Sequence, residues 1–329
     1  MVSWRIVFLH SVLCLFSGLA ATSGGCQASR PERGTLQTGT CLQRTSLHHL
    51  LSARDYLVHV PQGYDEDRTY PLVVVLHGAF SSASQIESWS NFSRLADREG
   101  FVVAYPNGTG FFGLGRLWNA RHCCGLASLS RVPDVEFISR MIGDLSARLR
   151  IDPDRVYVIG HSNGGMLAYY FASMRPDMVA AIGVVSGSIG SSPVAGGSVL
   201  AIRPPATRVP LIALHGLEDP TVPFEGGKPD FFLPVPFYVP VLDSVCSWAE
   251  SCGCDFMPAL DESTSGQEVL DWTDDDGRTW VTLHILNGWG HAWPGTIFVA
   301  RLPPSHPLRE FEACEVLWEF LRRHSRAEN

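Results

Sequence analysis

The chain has 329 residues, of which 45% are hydrophobic and 18% charged, and its formal net charge is −8. This balance is ordinary for a globular protein with a sizeable core, and the length fits one large domain or two small ones. The sequence has no block of basic residues, so nucleic acid is not an expected partner.

The N-terminus has the features of a secretory signal peptide, which we place at residues 1–25. Arg5 gives a weakly positive start, an apolar run covers residues 6–19, and small residues follow that suit cleavage. The run is shorter than the roughly 20 residues that a spanning helix needs, so a membrane anchor is the weaker alternative and no transmembrane span is expected. Lipidation of Cys26 stays open, although the usual leucine three positions earlier is absent. We therefore expect an exported protein, secreted or periplasmic.

Export changes the interpretation of the cysteines. Cys14 lies in the signal, which leaves eight of the nine cysteines beyond it. An even number in an oxidising compartment predicts disulfides, with the pairing left open. The cluster Cys246, Cys252 and Cys254 fits no common zinc spacing, so disulfides are favoured over a metal there. Adjacent Cys123 and Cys124 are expected to bond elsewhere or to leave one thiol free.

A polar, irregular arm is expected over residues 26–50, and one domain over residues 51–329. In that domain, apolar runs of strand length alternate with helical patterns. Strands are predicted at 56–60, 72–76, 101–105, 156–159, 180–185, 209–214 and 281–285. Helices are predicted at 86–98, 135–149 and 311–323, with a further one after residue 165.

This alternation predicts an α/β fold, with a doubly wound, mostly parallel sheet and helices on both faces. A ligand site is expected at the carboxyl ends of the strands. Two stretches, residues 110–133 and 224–238, do not fit the alternation. Long segments of this kind are usually functional or disordered, and we interpret both as walls of a substrate cleft.

The segment around Ser162 is the strongest motif. An apolar run ends in Gly160-His161-Ser162-Asn163-Gly164, and a helical pattern follows. This is the strand–turn–helix context of a nucleophilic serine, in which glycines allow the two backbones to approach closely. The turn is expected to present the Ser162 hydroxyl at a helix N-terminus.

A serine nucleophile needs a base, and the base needs a carboxylate that sets its tautomer. In a doubly wound hydrolase the acid and then the histidine follow the serine in the chain. Asp219 lies in a tight turn after a strand and is the predicted acid, with Glu218 as its rival. His291 lies in a glycine-rich loop after the last strand and is the predicted base. The other histidines are assigned lesser roles: His284 structural, His215 packed in the acid loop, and His306 and His324 solvated.

The oxyanion that forms on an attacked carbonyl needs two preorganised N–H groups. The N–H of Asn163, directly after the nucleophile, is one prediction. The loop after the early strand, Leu76-His77-Gly78-Ala79, supplies the other, and we assign it to Ala79.

Three tryptophans accompany these motifs. Trp118 precedes the paired cysteines, and Trp289 and Trp293 flank His291. They are candidates for an aromatic platform that binds an acyl group, with ordinary packing as the equal alternative.

Together the motifs resemble the secreted esterases of the poly(3-hydroxybutyrate) (PHB) depolymerase and feruloyl esterase group, that is, carbohydrate esterase family one in the broad sense. The chain departs from the group at Pro133-Asp134, where relatives commonly carry two acidic residues. The matching segments run in order: Val74-Val75-Leu76-His77-Gly78, Trp118-Asn119-Ala120 with Cys123-Cys124-Gly125, Gly160-His161-Ser162-Asn163-Gly164-Gly165, His215-Gly216 with Asp219 and Val222-Pro223, and Gly290-His291-Ala292-Trp293-Pro294-Gly295.

The resemblance implies an α/β-hydrolase catalytic domain over residues 51–329 and a triad of Ser162, Asp219 and His291. It implies no metal and no organic cofactor. The expected function is hydrolysis of carboxylic esters through an acyl-enzyme, on polyhydroxyalkanoate or on feruloyl or acetyl esters of plant polysaccharide. An oligopeptidase-type serine peptidase and a non-catalytic binding module on the same fold are the alternatives.

Overall fold

The structure is a computed structural model. It describes residues 38–49, 52–111, 114–229, 236–255, 258–264 and 266–329, all within the unit formed by residues 33–329. The predicted signal peptide at residues 1–25 lies outside the described residues. So do residues 230–235, which belong to the predicted cleft wall at 224–238. In the described part of the chain, no helix has the length and apolar character to cross a membrane.

Fifteen strands occur in the described residues, and ten of them form one sheet. Their bounds are β1 Gly39–His49, β2 Ser52–Val60, β3 Tyr70–Leu76, β4 Val102–Pro106, β5 Thr109–Phe111, β6 Leu114–Leu117, β7 Ile151–His161, β8 Ala181–Val185, β9 Gly190–Ser192, β10 Leu200–Ala201, β11 Leu211–Gly216, β12 Phe237–Tyr238, β13 Ala259–Ser263, β14 Gln267–Thr273 and β15 Thr279–Leu286.

Seven α-helices lie in the same residues, joined in places by short 3-10 turns. They are α1 Ala83–Ser90, α2 Phe92–Glu99, α3 Gly125–Leu129, α4 Asp134–Arg148, α5 Asn163–Met174, α6 Val241–Ser251 and α7 Ala313–Leu321.

The main sheet has the order β1-β2-β4-β3-β7-β8-β11-β15-β14-β13 in the described residues. The six central strands, from β4 to β15, pair in parallel, whereas the two strands at each edge pair antiparallel. The predicted α/β fold with a mostly parallel sheet is confirmed. Strands β7, β11 and β15, which lead into the serine, acid and histidine segments, lie close together at the sheet centre.

Continuous apolar strands bury both faces of this sheet, as the sequence predicted. All of β3 is buried, and its side chains alternate between two core layers. Leu72, Val74 and Leu76 belong to the layer that α4, α5 and α6 cover. Val73 and Val75 belong to the layer that α1, α2 and α7 cover. Helices therefore lie on both faces.

The structure differs from the sequence prediction in several elements. The single helix predicted at 86–98 is two helices, because Asn91 takes a left-handed conformation with φ 59° and ends α1. The arm predicted as irregular forms β1 from Gly39 onward. Backbone pairing with β2 accounts for this strand, and an edge strand of this kind needs no apolar pattern that a sequence could show. The antiparallel pair β13 and β14 was also not predicted.

Candidate active site

Ser162 occupies a sharp turn between β7 and α5. Its backbone has φ 54° and ψ −120°, a conformation that non-glycine residues rarely adopt. The turn leaves no room for side chains on the flanking glycines: a Cβ on Gly160 would overlap the Gly164 carbonyl, and one on Gly164 would lie 2.5 Å from the His77 oxygen. The Ser162 N–H donates to the Val185 oxygen at 2.7 Å, which ties the turn to β8.

Three predicted side chains meet at this turn. The His291 Nε2 atom lies 2.9 Å from the Ser162 Oγ, and its Nδ1 lies 2.7 Å from the Asp219 Oδ2. Asp219 follows β11 and His291 follows β15, so neighbouring parallel strands deliver both residues to one edge of the sheet. The structure therefore brings together residues that are 57 and 72 positions apart in the chain.

The Asp219 carboxylate is buried and surrounded by donors. Its Oδ1 accepts the N–H groups of Thr221 and Val222 at 2.8 and 2.9 Å. Its Oδ2 faces His291 and, at 3.4 Å, the Nε2 atom of His215. Burial alone would raise the pKa of Asp219, but the hydrogen bonds from the two histidines outweigh it and hold that pKa well below its usual range. The carboxylate is thus ionised at neutral pH.

The rival acid, Glu218, does not join this group. Its side chain is exposed, and its backbone N–H donates to the Trp289 oxygen at 3.1 Å. That bond ties the acid loop to the histidine loop.

His161 fixes the backbone of the histidine loop. Its Nε2 donates to the His291 carbonyl oxygen at 2.7 Å, and the two rings lie 5.1 Å apart between centroids. Burial is the main cause that lowers the pKa of His161 to about 3, so its ring is neutral. A neutral neighbour adds no positive charge that would oppose a proton on His291.

The remaining candidate histidines lie away from the serine. His284 is in the middle of β15, as predicted. His306 caps the short helix Pro307–Glu310. His324 was predicted to be solvated, and this is wrong. It is buried against Phe320, with ring centroids 4.6 Å apart, because the residues after α7 turn back onto the helix.

The two predicted oxyanion donors are unoccupied by protein groups. Within the described residues, nothing accepts a hydrogen bond from the N–H of Ala79 or of Asn163. The preceding Gly78 lies against Ser162, since a Cβ there would be 3.5 Å from the Ser162 Cβ. The next N–H, that of Phe80, donates to the Arg116 oxygen at 2.8 Å and is therefore already used.

His77 holds the loop that carries Ala79. Its Nε2 accepts the Gly108 N–H at 2.9 Å, so its Nδ1 carries the proton and donates to the Gly78 oxygen at 2.7 Å. Burial lowers the pKa of His77 to about 4, which keeps this donor–acceptor arrangement at neutral pH.

The proposed aromatic platform is not present. Trp118, Trp289 and Trp293 are 0%, 4% and 1% exposed, so none of them offers a free ring face. Two of the indole N–H groups are bonded to backbone oxygens, of His77 and Ala292. These tryptophans pack the loops around the site, which was the alternative interpretation.

Sequence reasoning missed the role of the Asn163 side chain. Its Oδ1 accepts the Trp118 N–H at 2.7 Å, and its Nδ2 donates to the Trp118 oxygen at 3.1 Å. Asn163 thus binds both backbone groups of Trp118 and holds the tryptophan segment, Trp118-Asn119-Ala120, next to Ser162. The amide next to the serine was visible in the sequence, but its partner 45 positions away was not.

Asp134, at the position where relatives commonly carry two acidic residues, is a buried structural group. Its Oδ1 accepts from Arg54 and its Oδ2 from the Asn119 N–H, both at 2.7 Å. The carboxylate therefore ties α4 to β2 and to the tryptophan segment rather than facing a substrate.

The cysteines also differ from expectation. The sulfur atoms of Cys123 and Cys124 lie in contact across a cis peptide bond, with the two Cα atoms 3.1 Å apart, so they face each other rather than separate partners. Five others form no bond to a described cysteine: Cys41, Cys246, Cys252, Cys254 and Cys314. The described residues contain no cluster of three or more side chains suited to a metal ion.

The known proteins that resemble this chain are named as esterases. Residues 54–216 match the family model described as esterase PHB depolymerase. The chain is 29% identical over 240 residues to feruloyl esterase B of Piromyces equi, an alignment that covers 73% of this chain but only 42% of that protein. It therefore spans less than half the length of this relative. A protein named "Probable feruloyl esterase C" from Aspergillus terreus is 26% identical over 323 residues, which is 96% of this chain and 97% of that one.

Solved structures support the fold. An acetyl xylan esterase from Aspergillus awamori superposes with a TM-score of 0.53 at 17% identity, over 76% of this chain and 94% of that one. At this identity the likeness concerns architecture alone. The family match, the relatives and the fold together confirm the resemblance seen in the motifs: this chain has the α/β-hydrolase fold and is similar to the esterases of the PHB depolymerase and feruloyl esterase group.

Proposed function

We propose that the protein is an exported serine esterase in which Ser162, His291 and Asp219 form the catalytic triad. Its substrates are feruloyl or acetyl esters of plant polysaccharide, with polyhydroxyalkanoate as the other polymeric candidate. The names of the relatives support the ester classes, and the features of residues 1–25 support export.

The observation that carries the proposal is the continuous chain of hydrogen bonds from Ser162 Oγ to His291 Nε2 at 2.9 Å, and from His291 Nδ1 to Asp219 at 2.7 Å. Nδ1 donates to an ionised carboxylate, so Nε2 is left as an acceptor for the serine proton. The imidazole is thus in the tautomer that a general base requires.

The reaction follows from these contacts. Ser162 Oγ attacks the ester carbonyl carbon while its proton passes to His291 Nε2. The N–H groups of Ala79 and Asn163 bind the resulting oxyanion. The tetrahedral intermediate expels the alkoxide, which takes the proton from His291, and an acyl-serine remains. Water then attacks the acyl carbon with the same base, and the acid and free serine are released.

Substrate and mechanism are tested together with methyl ferulate, acetylated xylan and hydroxybutyrate oligomers. Wild-type protein should hydrolyse at least one of them, and Ser162→Ala should lower kcat by at least about 10⁴-fold, since loss of a triad nucleophile removes the covalent route. A fluorophosphonate probe should label wild-type protein at Ser162.

Two results would contradict the proposal. Failure of the folded protein to react with the probe would favour a binding module that retains the fold. Cleavage of peptide amides at rates that match ester cleavage would favour a peptidase.

A further inference from the structure

A cavity of about 560 Å³ opens beside the tryptophan segment, at the start of α4. Arg121 and Arg131 line it together with the polar side chains of Asn119 and Ser128, and Tyr170 and Leu200 close another side. Its volume falls within the range of about 300–1,000 Å³ that is usual for small-molecule sites.

The two arginines give the cavity a positive charge. Both residues are exposed, and neither guanidinium forms an ion pair or hydrogen bond with a described residue. Arginines on the adjoining helix behave differently, since Arg140 and Arg148 pair with Glu136 and Asp144.

The acidic side chain in the cavity wall does not cancel this charge. Asp134 uses both carboxylate oxygens for Arg54 and the Asn119 N–H. The chain as a whole has a net charge of −8, whereas this cavity is lined by two guanidinium groups together with a hydroxyl and an amide group. Guanidinium groups match the geometry of carboxylates, because their N–H donors lie side by side.

Hydrogen bonds connect the wall of the cavity to the candidate active site. Asn119 lines the cavity and directly follows Trp118, whose peptide groups are bonded by the Asn163 side chain. Asn163 in turn follows Ser162. The cavity wall is therefore linked through Trp118 and Asn163 to the proposed nucleophile, Ser162.

We infer that this cavity binds a carboxylate carried by the polysaccharide part of the substrate, such as a uronic acid residue near the cleaved ester. This inference rests on the proposed function and refines it, because it assigns the enzyme to acidic rather than neutral esterified polysaccharides. Arg121 and Arg131 bind the carboxylate. Asn119 and Ser128 are already bonded to backbone groups of Val132 and Arg121, so they hold the cavity wall in place.

The first experiment compares acetylated xylo-oligosaccharides with and without a glucuronic acid substituent. Wild-type protein should show a higher kcat/KM for the acidic substrate. Arg121→Gln/Arg131→Gln should reduce the acidic-to-neutral ratio by about tenfold, as expected for two charge-assisted contacts that are partly screened by water. Arg121→Lys/Arg131→Lys should retain part of the ratio, because it keeps the charge but loses the side-by-side N–H donors.

Arg94→Gln is the matched control. Arg94 is an exposed arginine on α2, outside the cavity. It should leave the ratio at the wild-type value. An equal loss of the ratio in this control would mean that overall charge, not the cavity, sets the preference, and would overturn the inference.

The second experiment uses no ester, so it separates failure of this inference from failure of the proposed function. Deacetylated xylo-oligosaccharides, with and without glucuronic acid, and inorganic phosphate are titrated into wild-type protein by calorimetry. The acidic oligosaccharide should bind about tenfold tighter than the neutral one, and the difference should shrink in 0.5 M salt. Equal binding of the two oligosaccharides, or phosphate binding as tightly as the acidic one, would overturn the inference. Carboxylate binding without cleavage of any ester would refute the proposed function alone.

Discussion

His291 is held at three points, two on its imidazole and one on its backbone. Asp219 accepts from its Nδ1, Ser162 lies at its Nε2, and His161 donates to its backbone carbonyl. Each neighbour is in a defined protonation state, because burial keeps His161 neutral and donors keep Asp219 ionised. The ring therefore has one favoured orientation and one favoured tautomer before a substrate arrives, which is the preorganisation that proton transfer requires.

The carboxylate is the group that sets this tautomer. Asp219→Asn should lower kcat on the best ester by about 10³–10⁴-fold with a small change in KM, since an amide donor at this position favours the wrong ring nitrogen. Steady-state kinetics on the purified variant measures the effect, and circular dichroism checks the fold.

Glu218→Gln is the matched control for that change. It removes an exposed carboxylate one residue away and should keep kcat within about twofold, since surface charges far from buried contacts have small effects. A large loss of kcat in Glu218→Gln with none in Asp219→Asn would exchange the roles of the two acids.

Among the secondary-structure elements, the ends of three strands carry the proposed catalytic residues, and glycines allow the sharp turn at Ser162 to form. Strands β7, β11 and β15 end at the same edge of the sheet and deliver Ser162, Asp219 and His291. Helix α5 can start directly after the serine only because glycines let strand and helix backbones touch. The strained turn at Ser162 is thus supported by packing on both sides.

Replacing each of two glycines by alanine tests whether close packing at the serine turn requires glycine at position 164. Gly164→Ala places a Cβ 2.5 Å from the His77 oxygen and should lower the free energy of unfolding by about 3 kcal/mol, because the loop at His77 and Gly78 must move. Esterase activity should fall with it. Urea denaturation and kinetics measure both effects.

Gly143 is the comparison site. It is exposed within α4, and a Cβ there meets nothing within 4 Å. Gly143→Ala should therefore raise the free energy of unfolding by about 0.5–1 kcal/mol, because alanine is the better helix former. Equal destabilisation by the two substitutions would contradict the proposed steric role of Gly164.

At the scale of the whole molecule, buried histidines couple stability to pH. Burial lowers the pKa of His77, His122 and His324 to about 4, and that of His161 to about 3. Below about pH 6.5 the unfolded chain protonates these rings while the folded protein does not. The unfolded state then binds more protons, so stability decreases as the pH falls. Asp219 lowers the stability further only in more acidic solution, at pH values below the usual pKa range of an aspartate. There the unfolded chain protonates this carboxylate and the folded protein does not.

His324→Phe isolates one member of this group. The phenyl ring keeps the contact with Phe320, and the backbone oxygen of residue 324 still accepts the Tyr157 hydroxyl. Between pH 6 and 5, the variant should lose less stability than wild type, by up to about 1.4 kcal/mol per pH unit. Urea titrations at several pH values measure the slope, and an unchanged slope would show that His324 titrates normally in the folded protein.

Local patterns predicted the buried strands, the serine turn with its glycines, and the chain order of serine, acid and histidine. These follow from patterns within about ten residues, since strand burial and tight turns place direct demands on neighbouring side chains. The same reasoning placed Asp219 and His291 after their strands, and the parallel sheet then brought them to Ser162.

The contact partners of individual side chains depend on how the chain folds. It buried Trp118, Trp289 and Trp293, paired Arg54 with Asp134, and directed the Asn163 side chain to the tryptophan segment. It also paired β1 with an open sheet edge. The Arg54–Asp134 and Trp118–Asn163 contacts join residues 80 and 45 positions apart. Their formation depends on which surfaces the folded sheet brings together, and no local pattern carries that information.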